Sequence, residues 1–194
     1  MPTSASSNLD ITNRALILVG ASTITAFTDS SEEAIVTNAL YEDMIKTLLT
    51  SARWRFASKQ VALNESSGNP IGRFDRSYTL PSDYLMLHAI TVNDLLIEYN
   101  IYGTEVFANT TASDSLIADY TFRQTEGNFP SYFIMLAEYS FATMLATSLA
   151  RDEQLGALLD AQTQRLMQKA KTLDAQQQTT KKLVTSRFIT DRRN

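Results

Sequence analysis

Residues 41–63 read YEDMIKTLLTSARWRFASKQVAL, and the spacing of the apolar positions changes partway along. Tyr41, Met44, Ile45, Leu48, Leu49 and Ala52 fall at i, i+3, i+4, i+7, i+8 and i+11, one face of a helix, with Glu42, Asp43, Lys46 and Thr50 opposite. Beyond Ala57, Val61 and Leu63 alternate with polar neighbours, the two-residue repeat of a strand. The chain therefore passes from helix to sheet near Ala57, which sets an α+β fold class.

Upstream, the same helix opens at Ser30 with Glu33 three residues on, a capping-box spacing. An earlier helix is predicted over 8–19. Ser7 and Asp10 make its N-terminal cap, Ile11, Ala15, Leu18 and Val19 its stripe, and Gly20 its stop. Downstream, SSGNP at 66–70 is a turn, and RSYTLP and YLMLHAITV read as strands. Asn93 and Asp94 make a hairpin turn, and two further alternating runs centre on Tyr99 and Tyr120. The spacing predicts one small antiparallel β module of four to six strands.

Helix returns after Pro130, a residue suited to a first helical turn. Fourteen of the nineteen residues from Tyr132 to Ala150 are apolar, on every side of the helix. Such a helix must be covered all round, by its own fold or by a neighbouring subunit. The run 130–150 has the length of a membrane span, but Glu138, Ser131, Ser140, Thr143, Thr147 and Ser148 within it favour a buried core helix. The last helix is predicted over 152–178. Leu155, Leu159, Leu166 and Leu173 form its stripe, with Gln162 and Lys169 between them, which suits one-sided packing better than a coiled coil. The expected organisation is N-terminal helices at 8–56, the β module at 57–128, C-terminal helices of the same bundle at 129–178, and an extended basic arm at 179–194.

Composition narrows the function. The chain has 194 residues, 44% of them hydrophobic and 20% charged, which suits a globular protein. It has no Cys, so disulfide scaffolds, Cys-based zinc sites, thiol catalysis and iron–sulfur clusters are excluded, and its single His excludes multi-histidine metal sites. The six glycines build neither a dinucleotide-binding fingerprint nor a phosphate loop. No G-x-S-x-G elbow is present. MPTSASSNLD carries neither the basic nor the apolar segment of a signal peptide. No cofactor and no metal are expected.

The remaining candidates for chemistry each have a structural reading. His88, in LMLHAIT, is expected to be a strand histidine without a triad partner. Glu138, alone in an apolar helix, is expected to form a structural ion pair or hydrogen bond, although burial would suit a general acid. Asp29, Glu32 and Glu33 cluster at a helix start, where acids are ordinary, and Glu126 follows a strand in a loop. Arg53, Trp54, Arg55 and Phe56 resemble a base-stacking site. The alternative is that Trp54 and Phe56 close the core where helix meets sheet. The final fourteen residues carry Lys181, Lys182, Arg187, Arg192 and Arg193 against Asp191, a net +4. The whole chain is −4, so the other 180 residues, with 12 basic and 20 acidic groups, carry −8. With Leu183, Val184, Phe188 and Ile189 in the same segment, the tail suits an arm that docks on an acidic, apolar-grooved protein surface.

Four stretches in this order resemble a known family: ITNRALILVGASTITAF at 11–27, ARWRFASKQVAL at 52–63 with its W-x-F-A, YTLPSDYL at 78–85, and the run from Tyr120 to about Gln176. The chain resembles the head-to-tail adaptors of short-tailed bacteriophages, the tail tubular protein A type. Phe74 stands where that pattern has a Trp. The resemblance implies a non-enzymatic virion protein, assembled in the host cytoplasm and located in the tail. It implies homo-oligomeric rings of about twelve copies between the portal and the tail nozzle. Tail fibres attach to this platform, DNA passes through the channel without specific binding, and no membrane is involved. On this reading Lys181, Lys182, Leu183, Arg187, Phe188, Ile189, Arg192 and Arg193 bind the portal. Three other readings make different predictions. A nucleic-acid-binding accessory protein using Arg53, Trp54, Arg55 and the tail predicts salt-dependent DNA affinity. A small hydrolase using Glu138 or the Asp29–Glu33 cluster predicts a deep pocket with paired carboxylates. A scaffold outside any virus differs only in its partners.

Overall fold

The computed structural model describes residues 7–67, 70 and 72–177. The elements run in the order α1 (Asn8–Val19), α2 (Glu32–Thr50), β1 (Ser58–Ala62), β2 (Asn64–Glu65), β3 (Arg76–Thr79), β4 (Tyr84–Val92), β5 (Leu95–Leu96), β6 (Tyr99–Tyr102), β7 (Glu105–Ala108), β8 (Leu116–Phe122), α3 (Ser131–Ser148) and α4 (Glu153–Gln176). Among the described residues the fold is α+β, four helices with two small antiparallel sheets.

The start of α1 is the expected capping box: the Ser7 hydroxyl accepts from the Asp10 N–H, and the Asp10 carboxylate accepts from the Ser7 N–H. Its end is Gly20 at φ 75°, whose N–H bonds the carbonyls of Leu16 and Ile17, a geometry that favours glycine. The start of α2 differs from expectation by one residue. Ser31 caps it through the Ala34 N–H, so Glu33 lies in the first turn without closing a capping box. The 21–31 loop is pinned by Asn13, whose amide brackets Ile24 with two 2.9 Å bonds, and by Asp29, which accepts from the N–H groups of Thr25 and Ala26.

Residues from all four helices share one core. α3 lies within it, and Phe133, Ile134, Leu136, Ala137, Phe141, Ala142, Leu145 and Ala146 are buried around its circumference. α4 turns back along α3 after Arg151, at φ 53°, with Asp152 as N-cap. At this turn a Cβ on Gly156 would lie 3.4 Å from the Thr147 methyl. Of the expected stripe on α4, Leu159 is buried and Leu155 and Leu166 pack against the core, but the intervening positions differ. Thr163 and Ala170 face the core, whereas Gln162 and Lys169 are exposed, because the helix follows its own 3.6-residue period against α3 and not a heptad.

The β part has more strands than expected. One sheet runs β1-β8-β4-β5 and the other β2-β3-β7-β6. The segment 58–65 pairs with β8 through its first half and with β3 through its second. The segment 95–102 pairs first with β4 and then with β7. Six chain segments thus supply eight strands, and two bent corner segments join the sheets into a flattened barrel around Leu63, Tyr78, Ile90, Val106, Leu116, Ala118 and Tyr120. The alternation of apolar and polar residues continues through the bend at Leu63, so the sequence carries no sign of it. The hairpin turn at Asn93 and Asp94 is as expected, with φ of 50° and 64°.

Candidate functional site

The aromatic cluster at the end of α2 is structural. Trp54 is 1% exposed, its indole N–H donates to the Leu48 carbonyl at 2.8 Å, and its ring lies edge-on to Phe133 at 5.2 Å. Phe56 sits among Phe129, Tyr132 and Phe133. Neither ring is free to stack on a base. Arg53 reaches Asp119 on β8, and the Arg55 N–H donates to Asp174. Asp174 is a buried carboxylate in the last turn of α4 that also accepts from the Tyr132 hydroxyl at 2.8 Å. This contact raises the Tyr132 phenol above its ordinary range, through burial first and then the charge and bond of Asp174. Sequence reasoning missed Asp174, which sits in a polar run with nothing to mark it.

β4 carries two irregularities of register, at Leu85 and His88. Each bulge re-aims a side chain. Leu85 turns onto the helical core, and His88 shares a 2.7 Å hydrogen bond between Nε2 and the Thr121 hydroxyl. Thr121 is fully buried, so no substrate reaches that hydroxyl. Burial, then the nearby Arg53 charge, lowers the His88 pKa, with Asp119 opposing.

Glu138 is buried and pairs with Arg14 of α1 at 3.3 Å. Burial raises its pKa against the lowering effect of Arg14. Asp29 is occupied by the loop N–H groups, which hold its carboxyl below the ordinary range. Glu126 belongs to a network the sequence did not reveal. Arg123, just past β8, donates to Glu42 of α2 at 2.9 and 3.0 Å and to Glu126 at 2.6 Å, and the Tyr41 hydroxyl donates to Glu126 at 3.2 Å. Burial alone would lower the Arg123 pKa, but its bonds to the two carboxylates raise it. The guanidinium fills the space between the acids, so this carboxylate pair ties α2 to the barrel. These residues lie 81 and 85 positions apart, and only the fold brings them together.

Among the described residues no group of acids and His88 is placed to hold a metal ion, and no helix is long and apolar enough to cross a membrane. The arm residues Lys181, Lys182, Leu183, Arg187, Phe188, Ile189, Arg192 and Arg193 lie outside the described residues.

What the surface does present is apolar. Leu95 and Leu96, on the short strand β5, are 71% and 76% exposed. On the helical part, Ile17 is 63%, Ile35 62% and Leu158 60% exposed. The outer side of the second sheet carries a row of rings, Tyr102 to Phe107 at 5.3 Å and Phe107 to Phe74 at 6.2 Å, with the Arg73 guanidinium over Phe74. The alternation of these residues in the sequence did not show which of them the fold would leave uncovered.

No protein-family model matches the chain, and no curated protein is significantly similar to it.

Proposed function

We propose that this protein is a structural, ring-forming adaptor that joins a phage portal to the tail nozzle, forms part of the DNA ejection channel and performs no catalysis. The observation that carries the reading is the exposure of large apolar side chains on both parts of the fold, Leu95 and Leu96 on the barrel and Ile17, Ile35 and Leu158 on the helices. A chain that closes into a ring by head-to-tail contact needs two different patches, each meeting the other on the next copy. Scattered exposed apolar residues are ordinary, but side chains this open on both parts suit surfaces covered by neighbours.

Charge supports the conduit role. Residues lining a DNA channel must not hold phosphate, because each basic contact would gain affinity by counterion release and slow transit. The −8 carried by residues 1–180 repels DNA when repeated around a ring, within a screening distance of about 10 Å. The barrel region contributes most of this, with nine acidic against four basic residues over 57–128. The segment 181–194, at +4, then serves to anchor the ring on the portal, with Phe188 and Ile189 as apolar anchors.

Electron-microscopic images of the protein mixed with its portal test this. A collar matching the portal's symmetry, lost when residues 179–194 are deleted from an otherwise folded chain, is the expected result. Full portal affinity in the truncated chain removes the anchoring role. A channel lined continuously by Lys and Arg overturns the conduit.

A further inference from the structure

The outer face of the second sheet joins a row of rings to a polar cleft. On β7, Val106 and Ala108 are fully buried in the barrel core, so Phe107 between them points outward. Across the ladder, Asn100 of β6 stands opposite Phe107 and Tyr102 opposite Glu105, on the same face. The rings of Tyr102, Phe107 and Phe74 follow one another at 5.3 and 6.2 Å, and Tyr102 is 53% exposed. Phe74, which ends the row, is also a wall of an open cleft of about 590 Å³, together with Arg73, Ile97, Glu98, Asn100 and Asn109. Row and cleft are therefore one continuous surface, and the cleft has the size of a small-ligand site.

The polar side chains of this cleft are uncommitted. Among the described residues, the side chains of Arg73, Glu98 and Asn100 have no hydrogen-bond or ion-pair partner, and Arg73 only lies over the Phe74 ring at 5.6 Å. Asn109 uses its side-chain carbonyl on the Asp75 N–H at 3.1 Å, which leaves its amide N–H groups open. Arg73 thus offers donors, Glu98 acceptors, Asn109 donors and Asn100 both. A sugar hydroxyl both donates and accepts, and the C–H face of a pyranose ring packs on an aromatic ring. Charge argues against a polyanion. Arg73 is balanced by Glu98 in the cleft, Arg76 is already paired with Glu65, and Asp75 and Glu105 flank the row. A phosphate backbone needs a basic track, and the described residues of this face do not form one.

We propose that this face binds a neutral oligosaccharide. One sugar unit stacks on Tyr102 at the open end of the row, and a following unit enters the cleft, where Arg73, Glu98, Asn100 and Asn109 bond its hydroxyls. The rings hold the apolar face of the glycan, and the cleft distinguishes the positions of its hydroxyl groups. The site binds and makes or breaks no bond. It goes beyond the ring reading and does not rest on it, since a single copy carries every residue involved.

The test applies the full-length chain to a printed array of neutral, sulfated and uronic-acid oligosaccharides. Retention on neutral members is expected. The best of them, titrated into isotope-labelled protein, should shift the amide resonances of Phe74, β6 and β7 and leave the Trp54 indole in place. Tyr102→Ala and Asn100→Ala, both at exposed positions, should each weaken that binding by about tenfold or more, and Leu158→Ser, on the helical part, should leave it unchanged. An array on which no neutral glycan is retained overturns the proposal, and so does equal affinity of the wild-type, Tyr102→Ala and Asn100→Ala chains for the retained glycan. Retention on the sulfated or uronic-acid members alone overturns it as well. A proline-only peptide or single-stranded oligothymidylate that shifts the same amides more strongly than any neutral glycan assigns the face to another class of ligand and overturns it too.

Discussion

The helical part and the barrel are stabilised by different means. Among the described residues, twenty-four buried apolar side chains make the helical core, and it carries an aromatic cluster in which Phe56, Phe129 and Phe133 stand 4.8 to 5.8 Å apart. Nine buried residues make the barrel core, two of them tyrosines whose hydroxyls need partners, Tyr78 with Thr110 and Tyr120 with Asp83. A core that small is marginal by itself. The barrel compensates by leaning on the helices, through Leu85, the Arg53–Asp119 pair and the Arg123 network. The helical part folds its own core, and the barrel depends on what it borrows.

The largest effect is expected where the two parts meet. Trp54→Ala removes the ring that closes the helical core, together with its bond to the Leu48 carbonyl, which keeps the Ser51 hydroxyl and N–H as donors. It should cost about 3–5 kcal/mol. Denaturant unfolding followed by both fluorescence and circular dichroism should show one coincident transition shifted to lower denaturant. Two separated transitions would show that the barrel stands alone and would break the comparison. Leu116→Ala, in the middle of the barrel, should cost less, about 2–4 kcal/mol. Its signature should be local, with faster amide exchange in β4, β7 and β8 while α1 and α3 stay protected.

Arg123→Met sharpens the same point. It leaves Glu126 without its cation, with only the Tyr41 hydroxyl still donating to it, and unties the end of β8 from α2. The half-exposed Glu42 is well screened, so the cost should be about 1–2 kcal/mol. A double-mutant cycle with Glu42→Gln should recover part of it, and full additivity would mean that the network does not couple the two parts.

These differences also explain what was legible in the sequence. Helices α1 and α2 were readable because caps and stripes are local: Ser7 and Asp10 bond across three positions, and Gly20 bonds carbonyls three and four positions back. Ser31 in place of Ser30 is the kind of error that two adjacent serines produce. The strands were readable from alternation, but the division into two sheets was not, because a corner leaves the alternation intact. That Glu138 would form a structural ion pair or hydrogen bond followed from the cost of burying polar groups, but its partner Arg14 and the bond of His88 to Thr121 did not. The Arg123–Glu42–Glu126–Tyr41 network and Asp174 did not, since their partners are distant in sequence. Exposed Leu95 and Leu96 look in the sequence like any strand residues, and only the short pairing of β5 leaves them open.

The smallest effect separates the two parts by the sign of their response to pH. In the helical part, burial raises the Glu138 pKa above its ordinary 4.5. The folded chain therefore holds that proton more readily than the unfolded chain, and the contribution is full below 4.5 and lost as pH rises through the folded value. In the barrel, burial would raise Asp83 as well, but its bonds to Lys59 and the Tyr120 hydroxyl prevail and hold it below 3.8. Its contribution is full above 3.8 and lost as pH falls through the folded value. Glu138→Gln should therefore flatten the decline in unfolding midpoint on the alkaline side of 4.5. Asp83→Asn should flatten the decline on the acid side of 3.8. If Glu138→Gln leaves the upper slope untouched, Arg14 outweighs burial there, and the helical part, like the barrel, stabilises the anion of its paired acid.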